Sequence, residues 1–567
     1  MSGQGISQIV FYSIALVALG YPLGLWMARV YTSPRAAGRF FASLERGFCR
    51  VVRTDPTREQ DWRSYGKTVL VFSVLFWIVL YGIQRLQGHL FLNPDHMKAV
   101  PAHLSLNTAA SFITNTNWQF YGGESTMSYF TQMVGLAVQN FVSAAVGIAV
   151  LAAVVRGLAR RNADTIGNFW VDLYRTLVYI LLPLSIVVAA ILIWQGVPQT
   201  LHGHATATTL QHATQTIARG PVASQEAIKN LSMDGGGFYN ANSAAPFENP
   251  TGLTNFIEML SLLLIPVAQV FMFGRMVLAR RHAWAVFAAM SVLFVGGLVV
   301  VAVAEQHGSP VLRSSGVDIT ASSAQSGGNM TDKEVRFGIT NTALFATATT
   351  ASSDGAVNGG LDAFTSIGGA VPLANMFVGE TIFGGAGSGL YSMIFMIVIA
   401  VFVAGLMVGR TPEYLGKKIE AREIKLASIG ALFTPVLALV LTASSIVTHA
   451  GLKSVFNSGA HGFTEALYAW TSMANTNGSA FAGYGLTSFS ATLGTVAMLF
   501  GRYVPLLAAL ALAGSVATKR TVPASAGTFR TDGPTFTVLL VGVIVLTAGL
   551  MLLPALALGP IVEGLAH

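Results

Sequence analysis

The stretch "SMANTNGSAFAGYG", residues 472–485, is small, polar and glycine-rich, and it lies between two long apolar runs, 427–448 and 491–516. Each run suits a bilayer crossing, which takes about 20 apolar residues. Non-helical backbone at membrane depth must be buried in protein or line a water-filled cavity. Within the stretch, "NTNG" at 475–478 has three counterparts: "TNTN" at 114–117, "SMDG" at 232–235 and "SSDG" at 352–355. Their last residues, Asn117, Gly235, Gly355 and Gly478, stand 118, 120 and 123 residues apart. A near-constant period is the mark of an internal repeat.

The surroundings repeat as well. Each copy follows a short, moderately apolar segment: "LNTAASFI", "QEAIKN", "TNTALFATATTA" and "TEALYAWTSM". These are too short to span, so each reads as a half-helix that enters the membrane and stops. A further long apolar run follows each copy, making the unit span, half-helix, loop, span. Four re-entrant loops about one axis present rings of carbonyls that can replace the water around a dehydrated cation. Glycine suits such a place because it takes unusual φ/ψ angles and lets the backbone approach an ion closely. The carboxyl ends of four half-helices add negative potential. Four external Gly/Asn turns are the plainer reading, but turns need neither the even period nor the half-helices.

Composition sets the frame. Of 567 residues, 53% are hydrophobic and only 10% charged, against about 25% charged in a soluble domain. The chain is therefore read as an all-α polytopic membrane protein. Ten runs qualify as spans: about 8–28, 67–86, 130–155, 173–196, 254–278, 284–304, 372–409, 427–448, 491–516 and 536–557. The seventh is too long for one helix and is split by "GGAGSG" (384–389), so it reads as a broken helix. The divisions are 1–66, first helix and basic loop; 67–155, 173–278, 284–409 and 427–516, the four repeats; and 536–567, the last helix and C-terminus. The first basic residue, Arg29, follows the first run, the reverse of a secretory signal. Basic clusters then follow every second span: Arg29 to Arg63; Arg156, Arg160 and Arg161; Arg275, Arg280 and Arg281; Arg410, Lys417, Lys418, Arg422 and Lys425; Lys519 and Arg520. By the positive-inside rule these loops are cytoplasmic and both termini outside. The same rule explains the formal charge of +8 without nucleic acid. Cys49, the single cysteine, excludes an internal disulfide framework and falls in the first basic loop.

The sequence resembles the KdpA family, the potassium-binding subunits of bacterial Kdp potassium-transporting ATPases. The matching stretches are "SFITNTNWQ" (111–119), "GPVASQEAIKN" (220–230), "GGGFYNANSAAPFENPT" (235–251), "GRTPEYLGKK" (409–418), "NGSAFAG" (477–483) and "PALALGP" (554–560). The resemblance implies a K⁺-channel-like fold and a K⁺-selective subunit with no ATP site of its own. Its implied partners are a P-type ATPase subunit (KdpB), a single-span periplasmic subunit (KdpC) and a small single-span peptide (KdpF), in the bilayer of the bacterial inner membrane. K⁺ is the implied transported ion.

By the same resemblance the K⁺ filter is Asn115-Thr116-Asn117, Met233-Asp234-Gly235, Ser353-Asp354-Gly355 and Thr476-Asn477-Gly478, acting mostly through main-chain carbonyls. Met233 stands where the family commonly has a hydroxyl, and Thr476 where some members have asparagine. A thioether is a poor K⁺ ligand, so either the Met233 carbonyl acts or that ring is lopsided. Asp234 and Asp354 either raise cation affinity or brace their loops by accepting backbone N–H bonds, with bracing preferred. Gln119 has no polar counterpart at Gly237, Val357 or Ala480 and either meets the ion's path or fills space. Arg502, inside the ninth run, is expected to pair with a pore-loop carboxylate or carbonyls. Gly384, Gly385, Gly387 and Gly389 would unwind the seventh helix beneath the filter, a gate in the resembled family, or merely pack. Arg410 reads equally as a gate partner or a membrane anchor.

"YGKT" at 65–68 ends like a phosphate-binding loop, but Asp61 stands where that motif needs glycine. No His/Cys spacing suits a metal, and His202, His204 and His212 read as solvated in an external loop. A stand-alone passive K⁺ channel or symporter and a structural scaffold are the rival readings. The full-length motifs weigh against the first and the four loops against the second.

Overall fold

Every apolar run but the seventh becomes one continuous helix. The computed structural model describes residues 3–33, 38–323, 325–407, 409, 411–481, 483–523 and 529–565, with only the backbone of 39–41. Among these, ten helices are long and apolar enough to span: Gly3–Thr32, Trp62–His89, Thr131–Ala159, Phe169–Trp194, Gly252–Met276, Arg280–Ser314, Ser388–Met407, Ala421–Val447, Ser488–Ala517 and Pro534–Leu565. The chain is a multi-pass membrane protein. Between successive spans lie four short helices, Ala102–Ile113, Val222–Leu231, Gly338–Ser352 and Gly459–Ala474, where the half-helices are expected.

Burial sorts the spans into two rings. In each unit the span after the loop is the more buried, at 83%, 89%, 67% and 67% of its apolar window. The span before the half-helix is buried over only 28%, 39%, 39% and 44%. The following spans therefore surround the centre and the preceding spans face lipid. Two of the inner spans begin in capping boxes, Thr251 with Thr254 and Thr487 with Ser490. These turn the chain from loop to helix by satisfying the free N–H groups of the first turn. The first and last spans are additions at the periphery. Tyr12 donates from its hydroxyl to the Met259 carbonyl at 2.9 Å, fixing the first span on the inner span of the second unit.

The seventh run departs from its expected limits. A helix at Ser366–Phe377 ends well before the glycines, backbone 378–387 is non-helical, and helix resumes at Ser388. The break is thus longer than "GGAGSG" and starts earlier, while Gly389 already belongs to the returning helix. The first basic loop is not all loop either. Residues Gly38–Val51 form an amphipathic helix held by Glu45, whose carboxylate accepts from Arg175 at 3.0 Å, and Cys49 of the same helix is buried. At the same end Arg160 grips Glu59 through two 2.5 Å bonds and holds that carboxyl down to about 2. Lys417 is buried and donates to the Gly157 and Leu158 carbonyls, capping the inner span of the first unit. Arg35 and Arg410 lie outside the described residues. At the opposite end a hairpin pairs Ala205–Thr208 with Thr214–Ile217. His202 and His212 are exposed as expected, but His204 is half-buried, with its ring 3.5 Å from the Asp95 carboxylate.

Candidate functional site: a closed ring of four loops

Each half-helix ends in the same way. The first residue of each triplet, Asn115, Met233, Ser353 and Thr476, has a left-handed backbone, with φ of 62°, 51°, 61° and 56°. The N–H of the middle residue then turns back to the carbonyl five residues earlier: Thr116 to Ser111 and Asp234 to Lys229 at 3.0 Å, Asp354 to Thr349 at 3.1 Å, Asn477 to Ser472 at 2.9 Å. The unusual backbone was expected at the glycines, yet it starts two residues earlier, at residues with side chains. Gly355 and Gly478 follow with φ of 91° and 94°, and Asn117 with 52°. In the second loop Gly236, not Gly235, takes the positive φ.

The glycines are required by approach as much as by conformation. A Cβ on Gly235 would overlap the Asp354 carbonyl oxygen, one on Gly355 that of Asn477, and one on Gly478 that of Thr116. Loop 2 thus meets loop 3, loop 3 meets loop 4, and loop 4 meets loop 1. The remaining joint is made by side chains. Asn115 Nδ2 donates to the Met233 carbonyl at 2.7 Å, and Asn117 Nδ2 to the Gly235 carbonyl at 2.8 Å. Asparagine replaces glycine in loop 1 because it reaches across this joint. The twelve predicted residues are therefore brought together as one closed ring.

Within the ring the middle carbonyls stand apart. Thr116, Asp234, Asp354 and Asn477 are fully buried, and no hydrogen-bond donor among the described residues reaches their carbonyl oxygens. Buried backbone oxygens are nearly always paired. Four unpaired ones at equivalent positions form one set of oxygen acceptors.

The side chains answer most of the open questions. Met233 is buried in the apolar core, so only its carbonyl faces polar company. The Thr476 carbonyl accepts from Ser353 Oγ at 2.8 Å. Asp354 braces its loop as expected, accepting the Ala356 N–H at 2.9 Å. Asp234 does not: its one bond is to the Ser143 hydroxyl at 3.3 Å, and its second oxygen is buried without a partner. Gln119 bridges loops, donating to the Gly237 carbonyl and the Tyr121 hydroxyl, both at 3.2 Å.

Below the ring lies the broken helix. Gly384 donates its N–H to Ala351 of the third half-helix at 2.9 Å, and a Cβ on Gly385 would stand 2.7 Å from Ser353. Gly384 and Gly389 press face to face, where a Cβ on either would overlap the other. Gly387 abuts Gly147 of the first unit's inner span. Five members of the break, Gly379, Glu380, Phe383, Gly384 and Gly387, hold positive φ. The glycines are thus a tightly folded crossing, not helix packing.

Arg502 lies close enough to the pore-loop carboxylate of Asp234, and to Glu380, for their charges to interact, but it makes no hydrogen-bonded pair with them. Among the described residues its guanidinium makes no hydrogen bond or ion pair, and Nη2 is buried without a partner. Its neighbour Gly501 fits tightly against Ala474, which holds the arginine beside the break. There it lines a cavity of about 30 Å³ with Glu380, Ser388, Tyr391 and Thr476. Sequence alone hid this because the facing carboxylate, Glu380, comes from the unwound segment of another repeat.

The family model described as "Potassium-transporting ATPase A subunit" matches residues 10–565. The chain belongs to that family. It is 55% identical to the "Potassium-transporting ATPase potassium-binding subunit" of Sorangium cellulosum over 576 residues, covering 100% of this chain and 99% of that one. It is 54% identical to the protein of the same description from Methylobacterium nodulans, covering 100% and 98%. Among solved structures it is similar to the potassium transporter TrkH from Vibrio parahaemolyticus, with a TM-score of 0.51 over 89% of this chain and 95% of that one. At 16% identity this likeness concerns the fold alone.

Proposed function

We propose that the chain binds K⁺ selectively from outside the cell and passes it on as the ion-binding subunit of an ATP-driven uptake complex in the bacterial inner membrane. The observation that carries this reading is the ring of four buried, unpaired carbonyls at Thr116, Asp234, Asp354 and Asn477. Carbonyl oxygens at close quarters replace the hydration shell of a large monovalent cation. The half-helices end at the ring, so their negative ends favour a cation there. The positive-inside rule, applied to the basic loops, supports a topology with the opposite end of the molecule, and both termini, outside.

Beneath the ring the broken helix obstructs direct passage, and Arg502 adds a fixed positive charge to the obstruction. A subunit coupled to a pump needs such a block, because an open pore would dissipate the gradient. The passive channel is the less favoured reading, since the full-length likeness is to ATPase subunits. ATP hydrolysis is assigned to a separate P-type subunit, KdpB, with KdpC and KdpF as further partners. The test is affinity purification of the tagged chain from native membranes. A P-type ATPase chain is expected to come down with it, and the complex to show K⁺-stimulated ATPase. The stripped single chain is expected to bind K⁺ and hydrolyse nothing. Hydrolysis by that single chain would place the active site here instead.

A further inference from the structure

The four loops are not equal, and the difference lies in one lysine. Five residues before each middle residue stands Ser111, Lys229, Thr349 or Ser472. Three of these hold their loops with a hydroxyl: Ser111 donates to the Trp118 carbonyl at 3.0 Å, Thr349 accepts the Gly355 N–H at 2.9 Å, and Ser472 accepts the Gly478 N–H at 3.0 Å. In the second loop the ammonium of Lys229 does this work, donating to the Gly236 carbonyl at 2.9 Å. Its other protons go to Glu226 at 2.8 Å and Glu248 at 2.9 Å, and all three side chains are buried.

The carboxylates are anchored in turn. Glu226 accepts from Asn230 at 2.9 Å and from Ser243 at 3.0 Å. Glu248 accepts the Tyr239 N–H at 2.7 Å and presses on Gly237, where a Cβ would come within 2.7 Å of it. Three successive carbonyls of loop 2 are consequently tethered from outside the loop: Gly235 by Asn117, Gly236 by Lys229 and Gly237 by Gln119. The corresponding carbonyls of loops 3 and 4, from Gly355 to Val357 and from Gly478 to Ala480, accept no hydrogen bond among the described residues. Loop 2 is thus the fixed quadrant of the ring, and two carboxylates keep its lysine from presenting net positive charge to a cation.

We propose that Lys229 is a positioning residue for ion selectivity, holding loop 2 at the spacing that suits K⁺ while Glu226 and Glu248 keep its positive charge from acting on the ion. The proposal rests on the K⁺ reading of the ring. Its test is the K⁺ and Rb⁺ dependence of ATPase activity in the whole reconstituted complex. Lys229→Met is expected to weaken apparent K⁺ affinity about tenfold, the worth of one charged hydrogen bond, and to narrow the K⁺ over Rb⁺ preference. The maximal rate should stay near that of the parent. The double variant Lys229→Met with Glu248→Gln removes the bond at constant net charge and is expected to keep the narrowed preference. An unchanged K⁺/Rb⁺ ratio in Lys229→Met, or a parental ratio in the double variant, would overturn the proposal. If Lys229→Met fails to assemble, Glu248→Gln removes one anchor and keeps the lysine. It should narrow the ratio more mildly, and a parental ratio would again count against the proposal. Gly478→Ala separates the two levels: if it shifts K⁺ dependence and Lys229→Met does not, only the role of Lys229 falls.

Discussion

Gly478→Ala should lower the apparent K⁺ affinity of the reconstituted complex by roughly a hundredfold, the equivalent of about 3 kcal/mol. Two effects add. The residue holds φ at 94°, which L side chains rarely adopt, and its Cβ would overlap the Thr116 carbonyl oxygen. That oxygen belongs to the ring, so relieving the overlap displaces a ligand. Gly235→Ala is the milder case on both counts, because its Cβ would overlap the Asp354 carbonyl oxygen less severely and Gly235 has no positive φ. It should lose affinity too, but less. Gly549→Ala, in the last span with nothing within 4 Å of its Cβ position, should behave as the parent. The K⁺ titration of ATPase activity reads all three. Parental K⁺ dependence in Gly478→Ala would remove the ring from ion binding.

The second large effect is expected below the ring. Gly384 and Gly387 hold φ of 68° and 79° and are pressed against Gly389 and Gly147. Alanine at both adds about 1–2 kcal/mol of backbone strain each, before any overlap, so an open state should gain at least about tenfold in population. Proteoliposomes holding the double variant should leak K⁺ without ATP, with ion selectivity retained because the ring is untouched. Arg502→Ala should leak as well, since it removes the one fixed positive charge described in the cavity below the ring. Vesicles that stay tight and keep ATP-driven uptake would show that the crossing is only packing and that the block lies elsewhere.

What could be read from the sequence was what local chemistry determines. Ten apolar runs correspond to ten helices, and the four half-helices and loops stand where a period of about 120 residues puts them. The left-handed residues were not legible. Met233 and Thr476 have no local preference for positive φ, and β-branched or bulky residues are outliers there. Their conformation comes from the half-helix end, where the next N–H folds back on the carbonyl five residues before, and from the neighbouring loop. The role of Lys229 was hidden for a related reason. In "QEAIKN" it looks like an ordinary basic residue, and only the fold brings Glu248 and Gly236 to it. Arg502 was legible as costly but not as unpaired, because Glu380 reaches the same cavity from a segment that sequence places inside a helix. The break outgrew its glycines because "VGETIF" (378–383) carries Glu380 and Thr381, and Gly379, Glu380 and Phe383 hold positive φ, which no continuous helix allows.

The most direct test of the ring is to locate the ion. The whole complex, prepared in Rb⁺ or Tl⁺ and imaged by anomalous X-ray scattering, should show one strong site surrounded by the carbonyl oxygens of Thr116, Asp234, Asp354 and Asn477, with no water between ion and oxygens. The site should vanish in Gly478→Ala at the same ion concentration. A ring without the ion, with the strong site elsewhere in the chain, would contradict the account.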